Sequence, residues 1–231
     1  MRIVITLLYN TLMHFTTIFF DLDDTLYPAN TGLWETIRQR MGDYMHDKLG
    51  IAQDEIPTLR VRYLETFGTT LRGLQHSYVI DAEDYLAYVH DLPLEKYLTP
   101  NPELRQMLLS LPLKRWIFTN ADANHARRVL HLLHLSDCFH GIIDVRALGF
   151  TNKPDRSAYH LALDATGETN PERCILIDDA PRNLAPAKTM GFTTVLISSR
   201  PHDPSADYVI PFINDLKSIL PNLWRNGGSG G

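Results

Sequence analysis

The sequence predicts an α/β protein, a parallel sheet with crossover helices that is interrupted after its first strand by a helical insertion. Three observations predict it. From about Trp116 onward, short β-rich runs alternate with helix-length amphipathic stretches, the pattern of strands joined by crossovers. Far upstream, an apolar run at 17–20 stops abruptly in carboxylates. Between about residues 32 and 111 there is no comparable strand run, only helical patterns.

The elements follow in order. Residues 1–20 open with Arg2 and a largely apolar run, but Asn10 and His14 break it and no small-residue cleavage site follows, so neither a signal peptide nor a membrane span is expected. Residues 1–12 are expected to be an N-terminal extension ahead of a start at Met13. The first strand, at 17–20, leads into the insertion at 28–111, which carries helical patterns at 33–49 and 82–89. Lying between the first and second strands, the insertion belongs above the carboxyl ends of the strands, where ligands bind in open α/β sheets. The second strand is expected at 115–118. A helix from about Asn124 then sets Ala126, Val129, Leu130 and Leu133 inward and Arg127, Arg128 and His131 outward. A strand at 141–145, a helix at 156–165, strands at 174–177 and 194–197 and an edge strand at 208–210 complete the core. That core is 13–27 plus 112–225, and 226–231 is a flexible Gly/Ser tail.

Composition narrows the function. The 231 residues suffice for one full core and an inserted subdomain. Hydrophobic residues at 44% and charged ones at 21% exclude a disordered or fibrous chain. With 22 Lys and Arg against 27 Asp and Glu, no net positive field gathers a nucleic acid polymer or an anionic membrane. Cys138 and Cys174 sit in unlike settings without zinc spacing, which suits a reducing compartment, and a cytoplasmic location is expected.

The chemistry gathers at strand ends. Asp21, Asp23 and Asp24 place three carboxylates within four positions directly after Phe19-Phe20. Like charges repel, so such crowding asks for a cation, and oxygen ligands without a nearby His or Cys suit a hard ion such as Mg²⁺. A capped turn is the plain alternative. The second strand ends in Thr119 and Asn120, a hydroxyl and an amide able to donate to a phosphate oxygen. Lys153 follows the third strand after a loop, where an ammonium neutralises phosphate charge. Cys174-Ile175-Leu176-Ile177 ends in Asp178 and Asp179. Singly, these read as a helix cap, a surface lysine and helix N-terminal acids. In a parallel sheet all four strand ends open on one edge, so the groups converge on one volume.

With these four motifs in order, the sequence resembles the haloacid dehalogenase-like hydrolase superfamily over residues 15–210. Asp21-Leu22-Asp23-Asp24-Thr25 matches its first motif, Thr119 its second, Lys153 its third and Asp178-Asp179 its fourth. More narrowly, Tyr27-Pro28, Gly68-Thr69-Thr70-Leu71-Arg72-Gly73-Leu74, Asp91-Leu92-Pro93-Leu94-Glu95 and Asp178-Asp179-Ala180-Pro181-Arg182-Asn183 are similar to its pyrimidine 5′-nucleotidase branch. The resemblance implies a Rossmann-like parallel core with an inserted helical cap. It implies Asp21 as nucleophile, Asp23 as acid and then base, and Thr119, Asn120 and Lys153 around the phosphate. It places Mg²⁺ on Asp21, the backbone carbonyl of Asp23 and Asp179, with Asp178 nearby. The activity implied is hydrolysis of a small phosphate monoester through an aspartyl phosphate, the substrate being a nucleoside 5′-monophosphate with a pyrimidine base. Arg72 and Tyr27 are the candidate substrate contacts from the cap side.

Other readings are weighed on the same residues. Carbon-halide dehalogenases have no need of the second aspartate, so Asp23 argues against them. A phosphatase or phosphomutase for sugar phosphates would share the core and differ in its cap. The non-enzyme alternative, a binding module on the same scaffold, has a competent side chain at every reacting position against it. His125, His131 and His134 read as a solvated or partly buried helix face, because no carboxylate or cysteine completes a ligand set there. Trp34, Tyr44, Tyr63, Phe67, Tyr78, Tyr85 and Tyr88 read mostly as the core of the insertion, with one or two free to stack on a base.

Overall fold

The computed structural model describes residues 15–227. At its centre lies β1 (Thr17–Phe20), whose four residues are all buried. Ile18 and Phe20 join the apolar cluster on one sheet face and Phe19 the cluster on the other, as the two-residue period of a strand covered on both sides requires. Around it β2 (Lys114–Phe118), β3 (Gly141–Ile143), β4 (Cys174–Asp178), β5 (Thr193–Ile197) and β6 (Tyr208–Ile210) form a six-stranded sheet of order β3-β2-β1-β4-β5-β6. Every neighbouring pair is parallel. The strand order reverses between β1 and β4, paired from Thr17 with Cys174 to Phe20 with Ile177. At such a reversal the following loops part and leave a crevice.

Nine α-helices are present among the described residues. Five lie between β1 and β2: α1 (Leu33–Asp47), α2 (Ile56–Phe67), α3 (Thr70–Ser77), α4 (Ala82–His90) and α5 (Pro102–Ser110). The others are α6 (Ala123–Leu132), α7 (Arg156–Thr166), α8 (Pro181–Thr189) and α9 (Leu216–Ile219). One face of the sheet is covered through Leu104 and Leu108 of α5, Val129 of α6 and Leu216 of α9. The other is covered through Ala158 and Ala162 of α7 and Leu184 of α8. A third apolar cluster, including Tyr44, Tyr63, Leu74, Tyr85 and Val89, is supplied by α1 to α4, with Val145 joining it. This cluster is narrower than the 28–111 insertion, since Leu33, Ile37, Leu104 and Leu108 pack on the sheet instead. Tyr44, Tyr63 and Tyr85 are core residues of the helical cluster, whereas Tyr78 is exposed.

The strands run close to their expected positions, but the third stops at Ile143 rather than 145. The Asp144 carboxylate turns the chain there, accepting from the Ala123 N–H at 2.8 Å and the Ala147 N–H at 2.9 Å. Both cysteines are buried free thiols. No helix among the described residues is long and apolar enough to cross a membrane. The N-terminal extension at 1–12 and residues 228–231 of the tail lie outside the described residues, while 226 and 227 close a 3-10 stretch, Pro221–Gly227.

Candidate active site

The ends of four strands and the loops after them come together at the reversal of strand order. Asp21 follows β1 directly, its N–H still bound to the Ile177 carbonyl of β4 at 2.8 Å. Asp178 is the last residue of β4. Between the two carboxylates stands Lys153, 0% exposed. Its ammonium donates to Asp21 Oδ1 at 2.8 Å, Asp178 Oδ2 at 2.6 Å and the Phe118 carbonyl at 2.7 Å, so all three protons are used. Asp178 also accepts from the Ala180 N–H and the Asn183 amide, both at 2.9 Å. The Asn183 amide also reaches Oδ2, at 3.1 Å, so each oxygen accepts two bonds. Asp179 makes no side-chain hydrogen bond among the described residues. Asp21 Oδ2 receives only a long contact from the Thr25 hydroxyl, at 3.5 Å. The Thr119 hydroxyl oxygen accepts from the Ala121 N–H at 3.0 Å, which leaves its own proton free to donate.

Asp23 is held by groups that the sequence did not disclose. Tyr27 Oη donates to Asp23 Oδ1 at 2.6 Å, and His125 Nε2 lies 2.9 Å from the same oxygen. The His125 ring stacks on His90 at 4.2 Å and 18°, and His90 Nδ1 bonds Asp122 Oδ2 at 2.6 Å. Asp122 caps α6, its Oδ1 accepting the N–H groups of Asn124 and His125. The expectation of a solvated or partly buried face holds for the exposed His131 and His134 but not for His125, whose side chain is completely buried. The signal was helical phase. His125 is four residues before the inward Val129, at the start of a helix that opens beside the carboxyl ends of the strands.

Three expected substrate contacts have other partners. The Asn120 amide is engaged with the Lys153 backbone, accepting its N–H and donating to its carbonyl, both at 2.9 Å, so it fixes the lysine loop. The Tyr27 hydroxyl is committed to Asp23 and is buried. Arg72 donates at 3.2 Å to both Thr151 and Asp155, tying α3 to the loop that carries Lys153. A second tie lies beside it. Asn152 donates to the carbonyls of Phe67 and Lys153, at 3.2 and 2.7 Å, and Gly68 ends α2 with φ +83° against it. A Cβ on Gly68 would overlap the Asn152 amide and lie 2.8 Å from Pro154 Cδ.

Charge in the site is uneven. Burial, with repulsion from Asp178 and Asp21, pushes Asp179 up to about 8. Burial also raises Asp21 to about 7, Lys153 resisting and Asp178 assisting. Asp24, in a left-handed conformation at φ 57°, is raised to about 6 by burial and by Asp23. Asp23 moves the other way, because His125 and then Tyr27 outweigh the effect of burial. Burial would lower Lys153, but Asp178 and Asp21 raise it. Carboxylate oxygens of Asp21, Asp178 and Asp179 lie within 4.8 Å of one another. Asp24 Oδ1 is buried without a partner. In this oxygen-only cluster, strained by its own repulsion, the unengaged oxygens of Asp21 and Asp179 fit a hard divalent cation, with Asp178 adding negative charge beside them.

A protein of Saccharomyces cerevisiae, Phosphate metabolism protein 8, is 31% identical over 192 residues, which cover 77% of this chain but only 60% of the yeast protein. Among solved structures, a HAD phosphatase from Thermococcus onnurineus matches with a TM-score of 0.61 at 21% identity, covering 89% of this chain and 97% of that one. A β-phosphoglucomutase from Clostridium difficile matches at 0.59 and 20% identity, covering 91% and 97%. At such identities these two likenesses concern the fold. Residues 15–191, well over half of the sequence, match the haloacid dehalogenase-like hydrolase family as a whole, and the chain belongs to it.

Proposed function

We propose that the chain is a Mg²⁺-dependent phosphohydrolase of small phosphate monoesters that works through an aspartyl phosphate on Asp21, with pyrimidine nucleoside 5′-monophosphates as its preferred substrates. The observation that carries the reading is the fully buried Lys153 ammonium, held between Asp21 and Asp178 at the reversal of strand order. An ionic cluster buried at a ligand-binding crevice is costly as mere structure, and perturbed acids of this kind gather at reacting centres.

The residues divide the work. Asp21 Oδ2, free of any close partner, attacks phosphorus while the ester oxygen leaves. Asp23 gives that oxygen its proton and then takes one from the water that hydrolyses the acyl phosphate. The Thr119 hydroxyl has its proton free for a phosphate oxygen, while the Lys153 ammonium, its own protons engaged, supplies positive charge beside the nucleophile. Asp21, Asp179 and the Asp23 carbonyl would hold Mg²⁺, with Asp178 kept in place by Lys153 and Asn183. When bound, the ion supplies charge neutralisation at the transferring phosphoryl group. In this reading 13–27 and 112–225, joined by the parts of the 28–111 insertion that pack on the sheet, form the catalytic core. The helical cluster within the insertion covers the site and selects the leaving group, which the phosphate-facing residues do not touch. The nucleotide preference is supported by the segments similar to the pyrimidine 5′-nucleotidase branch. The test is a panel of pyrimidine and purine monophosphates and sugar phosphates, read as phosphate release with chelator and with Mg²⁺. Activity should vanish with chelator, return with Mg²⁺, and be highest on UMP and CMP. Sugar phosphates hydrolysed as well as these would remove the nucleotide preference and leave the phosphatase. Isomerisation without phosphate release would indicate a mutase.

A further inference from the structure

We propose that His125 is a positioning residue for the acid–base step: with Tyr27 it pins Oδ1 of Asp23, leaving Oδ2 as the oxygen that carries the proton. The inference rests on Asp23 being the acid and base of the proposed reaction. Both neighbours converge on one atom, Tyr27 Oη at 2.6 Å and His125 Nε2 at 2.9 Å, and no hydrogen bond reaches Oδ2 among the described residues. An oxygen whose lone pairs already accept two donors binds a further proton poorly, so the proton settles on the other.

The imidazole is suited to donating. His125 Nδ1 is buried without a partner. A proton placed there would be a buried donor with no acceptor, whereas a bare Nδ1 leaves only a lone pair, so the tautomer with its proton on Nε2 costs less. Nor is the ring free to turn. It is stacked on His90, and His90 is held from both sides, its Nδ1 by Asp122 at 2.6 Å and its carbonyl by Arg128 at 2.7 Å. Because Asp122 also caps the backbone N–H of His125, a single carboxylate sets the position of both rings. His90 is the last residue of α4, so the helices between β1 and β2 supply the far side of the stack. A histidine that only filled space would not need its Nε2 aimed at a carboxylate.

The test compares two esters, the best alkyl phosphate of the panel, whose leaving oxygen needs a proton, and p-nitrophenyl phosphate, whose phenolate hardly does. The quantity read is the ratio of kcat/KM for the two, which reports the first phosphoryl transfer. His125→Leu should lower the ratio about tenfold to a hundredfold, within the range that general acid catalysis supplies. His125→Gln, whose amide can donate from near the Nε2 position, should restore it to within about threefold of wild type. Tyr27→Phe keeps its ring and removes the other donor, so it should also lower the ratio, and it serves if His125→Leu does not fold. Equal loss on both esters, or Gln no better than Leu, overturns the proposal in favour of packing. Asp23→Asn separates the two levels. If it leaves the ratio unchanged, the acid–base reading of Asp23 falls. If it lowers the ratio while His125→Leu and Tyr27→Phe do not, only the positioning role falls.

Discussion

Asp21 and Lys153 show how far single residues depend on their surroundings. A buried aspartate beside a buried ammonium resembles a structural ion pair, but burial and the neighbouring acids have already raised Asp21 to about 7. A neutral, nearly isosteric side chain therefore loses little there. Asp21→Asn is expected to abolish turnover and to leave the melting temperature close to wild type, checked by single-turnover assay and thermal unfolding. Residual activity near wild type would remove Asp21 from the nucleophile position. Lys153 is less replaceable, since without it Asp178 is a buried charge short of its partner, a loss of about 3–5 kcal/mol for a broken buried pair. Asp21, Thr119, Lys153 and the Asp178-Asp179 pair were legible because each stands where an apolar strand, or the loop after one, meets a polar group. The engagement of Tyr27, Asn120 and Arg72 was not legible, because their partners are set by rotamer and by loop path rather than by spacing. The His90–Asp122 bond joins residues 32 positions apart, a contact no local pattern encodes.

At the scale of elements, the strands were legible from apolar runs that stop at charge, and β3 was overestimated because Asp144 turns the chain through backbone bonds invisible to hydropathy. Helix α6 was legible in extent, and its inward side chains repeat at helical spacing. What escaped was that its first turn belongs to the site. The junction between α2 and the Lys153 loop carries a prediction of its own. Gly68 sits at φ +83° with no room for a methyl group. Gly68→Ala is expected to cost about 1–2 kcal/mol for the left-handed backbone alone. The overlap with Asn152 should also displace the loop and lower kcat more than it raises KM. Thermal unfolding and steady-state kinetics check both parts, and wild-type kcat in a folded variant would show that the loop tolerates the shift.

For the whole molecule, the fold class was legible since it rests on order and alternation, which survive errors of a residue or two at each boundary. The division of apolar residues among three clusters was not, because a helix pattern marks a buried face without naming what buries it. Stability as a function of pH is a property of the whole chain. Asp24, Asp21 and Asp179 stand raised to about 6, 7 and 8, above the unfolded value of about 3.9. The metal-free protein should therefore lose stability as pH rises from about 4 through 8. Asp122 acts oppositely. Burial opposes its ionisation, but His90 and the backbone N–H groups of His125 and Asn124 hold it well below the usual range, so its contribution is present above about 4 and fades as pH falls. Mg²⁺ should then raise the melting temperature more at pH 8 than at pH 5, where the acids must first release protons. An equal rise at both would argue against an acidic-cluster site. The sheet has one more consequence. Its two border strands, β3 and β6, are three residues each, and β3 is cut short by Asp144. A neighbouring molecule therefore finds too few free backbone groups along either margin to extend the sheet edge to edge, so this chain guards against aggregation by having little border to offer.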